Sequence, residues 1–172
     1  EYLDRRGLSQ ATRDRFELGY APEQRTALLE HLTGKGFARE KLVDAGLVLP
    51  PRDGKGSFRD RFLGRVMFPI RDGRGRAIAF GARAIAAGQE PKYLNSSETP
   101  LFDKGASLYG IDRAHEEARR ADGVVVVEGY MDVIALAEAG VAHAVAPLGT
   151  ALTPDQIKLL WRLGPEPILC FD

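Results

Sequence analysis

Cysteine is nearly absent from this chain: Cys170 stands alone among 172 residues. One cysteine excludes an internal disulfide and any zinc site built from several cysteines. Its place in the apolar run Pro167-Ile168-Leu169-Cys170-Phe171 predicts a buried core thiol, as free cysteines usually are. A reducing, cytoplasmic setting is expected. Long apolar runs are also missing. None approaches the roughly 18 residues needed to span a bilayer, so no membrane association is expected. The opening Glu1-Tyr2-Leu3-Asp4-Arg5-Arg6 lacks the apolar core of a secretory signal. Net charge is lacking too, with 24 basic side chains balancing 24 acidic ones.

That balance is the sum of two unequal parts. Residues 1–120 hold 22 Lys and Arg against 17 Asp and Glu, whereas residues 121–172 hold 2 against 7. A basic part facing an acidic part suits a polyanion held beside a cation site. Two solvated surfaces of opposite charge account for the same numbers. The length allows one domain or two small ones, and the sequence divides most naturally into 1–121 and 122–172.

The acidic part is organised around Val124-Val125-Val126-Val127-Glu128-Gly129-Tyr130-Met131-Asp132. Four β-branched residues predict a strand buried on both faces. An acid follows, then a glycine, then a helical pattern. In an open α/β sheet, ligands sit beyond the carboxyl ends of the strands. Glu128 falls at such an end, and Asp132 lies one helical turn on. Two carboxylates converging there suit an oxygen-liganded cation such as Mg²⁺. The pattern repeats: Ala142 to Ala146 is a second apolar run. Thr153-Pro154-Asp155-Gln156 carries the marks of a helix start, with Thr153 as N-cap and Gln156 closing a capping box. Residues 167–171 are a third run, ending in Asp172. Strand and helix in alternation predict a parallel, Rossmann-like sheet.

The basic part reads as α+β. Ser9 caps a helix that Gly19 ends, Ala21-Pro22-Glu23 opens a second, and a third closes at Gly46. Leu47-Val48-Leu49 is a short strand. Arg65 to Arg71 and Arg76 to Ile85 form a hairpin around Asp72-Gly73-Arg74-Gly75. Between Arg52 and Arg83 stand nine basic residues and three acids. An antiparallel sheet with one wet face can array them along a groove. Arginines beside Phe and Tyr suit single-stranded nucleic acid, through phosphates and stacked bases; a solvated arginine-rich face is the plainer reading. Residues 86–106 are loop-like and carry Lys92 and Lys104. Residues 108–120 predict a helix linking the two halves.

The motifs together resemble the bacterial replicative primases, the DnaG-type RNA polymerases. The resemblance rests on Tyr2-Leu3 with Arg6-Gly7-Leu8, on Phe16 through Pro22, on Asp60-Arg61-Phe62 and on Arg65 to Ile70. Phe80-Gly81 with Arg83, Lys92 to Ser96, Lys104-Gly105 with Leu108-Tyr109-Gly110, Val126 to Asp132, and Leu148 to Ala151 complete it. It implies that residues 1–121 are the basic subdomain of the polymerase core and that residues 122–172 begin a Toprim domain. It assigns catalysis to Glu128, Asp132 and Asp172, with Glu128 and Asp172 as ligands of Mg²⁺ or Mn²⁺. It assigns nucleotide or RNA contacts to Arg83, Lys92 and Lys104, and template contacts to Arg61, Arg65, Tyr93 and Asn95. The implied partners are single-stranded DNA, an RNA primer and nucleoside triphosphates at the replication fork. The family's zinc domain, its helicase-binding C-terminal domain and its later Toprim acids lie outside these residues. The Toprim part is therefore expected to be truncated, and the piece inactive alone. Two positions depart from the family pattern. Leu63 replaces a basic residue, and Ala82 replaces a glycine, which negative φ would tolerate.

Two other readings remain at this point. Another Toprim enzyme, such as a nuclease or a phage primase-helicase, explains Glu128 to Asp132. A non-catalytic module for single-stranded nucleic acid explains the basic half. Glu128 would then be a helix-capping acid.

Overall fold

The computed structural model describes residues 2–51, 54–149 and 151–171. Helices α1 (Tyr2–Arg5) and α2 (Gln10–Arg15) open the chain, followed by strand β1 (Gly19–Ala21). Ser9 caps α2 as expected, its hydroxyl accepting from the Thr12 N–H at 3.2 Å. The second helix starts later than expected. Helix α3 spans Ala27–Gly34, and Pro22-Glu23 lies outside it. The reason is a distant cap. Asp60, on strand β3 (Arg59–Asp60), accepts from the N–H groups of Leu28 at 2.7 Å and Leu29 at 2.9 Å. The local candidate Thr26 turns its hydroxyl to Glu30 instead. Asp60 is only 2% exposed. Asp60→Ala leaves two helix-end donors unpaired and is expected to cost about 2 kcal/mol of stability, measurable by thermal unfolding. Helix α4 (Arg39–Asp44) and strand β2 (Val48–Leu49) complete this layer, with β2 antiparallel to β3.

The hairpin is as the sequence predicts. Strands β4 (Arg65–Arg71) and β5 (Ala77–Ala84) pair antiparallel, and β6 (Tyr93–Asn95) adds to β5. With β1 they form one sheet in the order β1-β4-β5-β6. Val66, Phe68 and Ile70 point inward at every second position of β4. The Asp72 carboxylate accepts from the Arg74 and Arg76 N–H groups and fixes the turn. Ala82 is buried with φ outside the positive region, so alanine fits there without strain.

The expected wet array of arginines forms only in part: Arg74 and Arg76 are exposed, whereas others are drawn into the fold. Arg65 is 4% exposed, with its guanidinium on the Pro91 carbonyl at 2.8 Å. Arg71 pairs with Glu17, Arg76 with Asp72, and Arg61 donates to the Asn95 carbonyl. These four cations cross-link the sheet and its loops. Arg52 lies outside the described residues.

The second sheet has the order β10-β8-β9-β7. Strand β8 (Val125–Val127) lies parallel to both β9 (Ala144–Pro147) and β10 (Ile168–Cys170), the expected α/β core. Strand β7 (Leu108–Tyr109) runs antiparallel to β9. The helix expected from residue 108 therefore begins only at Ile111, as α5 (Ile111–Ala121), after Gly110 turns the chain at φ +81°. Sheet pairing has overridden local helical periodicity. Helix α6 (Tyr130–Glu138) follows β8, and α7 (Pro154–Leu163) follows β9, with Thr153 and Gln156 in the expected capping box.

The valine run serves two cores at once, because its side chains alternate. Val126 packs with Ala114, Ala118, Leu160 and Leu163 of α5 and α7. Val127 packs with Tyr130 and Ile134 of α6 and with Phe68 and Ile70 of the hairpin. The two parts of the chain thus share a core across residue 121. Cys170 is exposed, not buried as its apolar neighbours suggest. It lies on an edge strand, where Ile168 and Leu169 are also more than half exposed. Among the described residues, no helix is long and apolar enough to cross a membrane.

Candidate active site

Glu128 follows β8 directly and is exposed at the mouth of the second sheet. Gly129 then makes the extended step into α6. Together with Tyr130 and Asp132 of α6 and Pro147, Leu148 and Gly149 at the end of β9, Glu128 lines a cleft of about 390 Å³. The opposite wall is β6, through Tyr93 and Asn95. The carboxyl end of a parallel strand therefore faces the edge of the basic sheet, where the topology of open α/β sheets places ligands.

One residue pair locks the two walls together. The Asn95 side-chain amide donates to the Leu148 carbonyl at 2.8 Å, and its oxygen accepts from the Tyr130 hydroxyl. Burial pushes the Tyr130 hydroxyl pKa well up, with the Asn95 hydrogen bond opposing. The phenol stays protonated and acts as a fixed donor. Its ring stacks on Phe68 at 5.2 Å and meets Tyr109 edge-on at 4.8 Å. The Asn95 carbonyl is in turn held by Arg61. Burial alone lowers the pKa of that guanidinium. Burial also lowers that of Arg65, against the opposing charge of Glu90.

The acids behave unequally. One Asp132 oxygen accepts from the Gly129 N–H at 3.1 Å, so this side chain closes the first turn of α6 as well as facing the cleft. Among the described residues no three His, Cys, Asp or Glu side chains cluster as a metal cage. Two carboxylates on one cleft are nonetheless the oxygen-donor set that suits Mg²⁺ or Mn²⁺. Asp172, the other expected ligand, lies outside the described residues, as does Thr150.

The predicted cationic residues separate into distinct places. Arg83 and Lys92 line a second cleft of about 450 Å³ with Tyr2, Arg5 and Arg6. Tyr93 stands between the clefts, with Arg83 at 5.8 Å from its ring and Tyr130 at 6.5 Å. Lys104 lines neither cleft. It sits on a 3₁₀ turn, Lys104–Ala106, against the start of α7. Gln156 holds that turn. Its side-chain amide donates to the carbonyls of Lys104 and Ser107, both at 2.9 Å, while its oxygen accepts from the Thr153 N–H. The sequence showed Gln156 only as a capping-box residue, not as the anchor of a loop some fifty residues away. At 1% exposure, Gln156→Leu strands two carbonyls and is expected to cost about 1–3 kcal/mol, read from urea unfolding. Sequence reasoning also passed over Tyr130. The only signal for it was an aromatic residue directly after Glu128-Gly129.

Residues 1–115 match the family model described as the DNA primase catalytic core, N-terminal domain, and residues 122–172 match the Toprim domain. A DNA primase of Pseudomonas aeruginosa is 51% identical over 171 residues, which is 99% of this chain and 26% of that protein. The DNA primase of Escherichia coli K12 is 46% identical over all of this chain and 29% of its own length. Among solved structures, a DnaG primase catalytic domain bound to single-stranded DNA superposes with a TM-score of 0.90 at 46% identity. It covers 99% of this chain and 52% of that one. The RNA polymerase domain of Mycobacterium tuberculosis primase gives 0.91 at 39% identity, covering 99% and 57%. The chain thus spans about a quarter of the length of these curated relatives.

Proposed function

This chain belongs to the DNA primase catalytic-core family, and we propose that it is part of an enzyme that makes short RNA primers. The substrates are nucleoside triphosphates and the template is single-stranded DNA at the cytoplasmic replication fork. The observation that carries this reading is the single cleft in which the acid-bearing end of β8 meets the edge of the basic sheet. A nuclease or a passive binding module is less favoured, because residues 1–115 match the primase catalytic-core model alongside the Toprim match of residues 122–172.

Phosphoryl transfer needs alignment and charge neutralisation more than covalent help. Glu128, with Asp132 and Asp172, would hold Mg²⁺ or Mn²⁺. That cation, when bound, neutralises charge on the reacting phosphate and favours the attacking hydroxyl as its oxyanion. The remaining work belongs to the chain itself. Arg83 and Lys92 offer positive charge to phosphates from the adjoining cleft. Tyr93 offers an exposed ring on which a base can stack. Asn95 and Tyr130 fix the distance between the two walls. Arg61 and Arg65 support the template side by bracing the backbone of the loop and strand that carry Lys92 to Asn95. Lys104, on the 3₁₀ turn held by Gln156 of α7, would meet nucleotide or growing RNA from outside both clefts. Contact with a replicative helicase, and any zinc site, belong to segments other than residues 1–172.

The test is RNA synthesis by the full-length protein, with ribonucleoside triphosphates and a defined single-stranded DNA. Oligoribonucleotides complementary to the template, formed only with Mg²⁺ or Mn²⁺, are expected. Salt-sensitive DNA binding without product, or cleavage of the DNA, would overturn the reading.

A further inference from the structure

Arg83 is held in an unusual way for a surface arginine. Its guanidinium carbon lies 4.5 Å from the centre of the Tyr2 ring and 5.8 Å from that of Tyr93. One terminal nitrogen donates to the Ala84 carbonyl at 3.0 Å. Its Nε is buried and has no hydrogen-bond partner among the described residues. The ring of Tyr2 carries a second cation, Arg6, at 5.6 Å. The Tyr2 hydroxyl is itself buried without a partner, so hydrogen bonding does not account for a tyrosine here. The cleft gathers four cations, Arg5, Arg6, Arg83 and Lys92, around a single carboxylate, Glu90, an excess of positive charge that a bound anion would offset.

We propose that Tyr2 is a positioning residue, whose aromatic face holds the Arg83 guanidinium in place to receive a phosphate group. The inference deepens the proposed function and rests on it: Arg83 must meet phosphate for its posture to matter. The ligand chemistry is a phosphate or phosphodiester, from a nucleoside triphosphate or from single-stranded DNA. Stacking on an aromatic face suits arginine because its guanidinium is planar and weakly hydrated. It removes the rotamer freedom that would otherwise be lost when the anion binds. The position is demanding because Tyr2 belongs to α1, far in sequence from Arg83, and reaches the cleft only through the packing of α1 against the shared core.

The experiment compares Tyr2→Phe, Tyr2→Leu, Arg83→Lys and the Tyr2→Leu/Arg83→Lys double variant in the full-length protein. Primer synthesis gives KM for nucleoside triphosphate and kcat, and fluorescence anisotropy gives Kd for a single-stranded DNA. Tyr2→Phe keeps the ring and is expected to match wild type. Tyr2→Leu is expected to raise KM or Kd by about 10-fold, the scale of a desolvated cation–π contact. The double variant is expected to be no worse than Arg83→Lys alone. A rise confined to KM assigns the phosphate to the nucleotide, and one confined to Kd assigns it to the DNA. A folding defect lowers the active fraction, so kcat falls and apparent Kd rises by the same factor while KM stays put. That result, additive losses in the double variant, or a silent Tyr2→Leu beside a damaging Arg83→Lys would each overturn the inference while leaving the proposed function intact. A silent Arg83→Lys would overturn the phosphate role of Arg83 itself.

Discussion

Glu128→Gln is expected to reduce templated RNA synthesis on the order of 10³-fold, the scale of removing one preorganised charge at a phosphoryl-transfer centre. The substitution keeps the shape of the side chain and removes its charge. Glu128 is exposed beside the N-terminal turn of α6 and belongs to neither hydrophobic core. Glutamine keeps the hydrogen-bonding capacity of this exposed side chain, so the melting temperature should stay near wild type. Affinity for single-stranded DNA should also be unchanged, because the cationic groups lie across the cleft and beyond it. Rate and binding thus separate, and gel analysis of products beside DNA-binding isotherms checks the separation. A loss of DNA affinity equal to the loss of rate would instead make Glu128 a structural residue.

The second large effect is expected at Gly81. This glycine sits in the middle of β5, opposite Phe68 on one side and Asn95 on the other. A methyl group there would lie 2.4 Å from Cζ of Tyr130 and 2.6 Å from its hydroxyl oxygen. The ring has no room to yield, being stacked on Phe68 and wedged against Tyr109. Gly81→Ala is expected to cost about 3 kcal/mol, the upper range for overpacking a core. It should also lower primer synthesis in the molecules that stay folded. Displacing Tyr130 breaks its bond to Asn95 and moves the Glu128-Gly129 turn. Trimming the obstruction, in the Gly81→Ala/Tyr130→Leu double variant, should return part of the stability but not the activity. Thermal unfolding and primer yield, measured on the same samples, test both halves. Additive stability losses would show that the two residues do not share a contact.

What the sequence made legible was local and periodic. The β4–β5 hairpin, the strand Val125–Val127 with an acid at its end, and the Thr153–Gln156 helix start all follow from patterns within about ten residues. What it hid were bonds between distant segments. Asp60 caps α3 from 31 residues away, and so the helix start near Pro22 was misplaced. Leu108 and Tyr109 pair with β9, which no helical periodicity reveals. Arginine density suggested one wet groove, whereas Arg65 and Arg71 serve to tie the sheet together. In the candidate site, Glu128, Asp132, Tyr93 and Asn95 were foreseen as residues and do line one cleft. Their coupling through Tyr130 and the close approach at Gly81 needed the fold to be seen.

The central claim, that the Glu128 cleft is where a divalent cation serves nucleotide transfer, is tested most directly by mapping the cation. Fe²⁺ bound in place of Mg²⁺ generates hydroxyl radicals that cut the nearest backbone when ascorbate and peroxide are added. In the full-length protein, cuts are expected around Glu128–Asp132 and Pro147–Gly149, suppressed by excess Mg²⁺ and absent from Glu128→Gln. Cuts elsewhere that persist in Glu128→Gln would place the cation at another site and contradict the account.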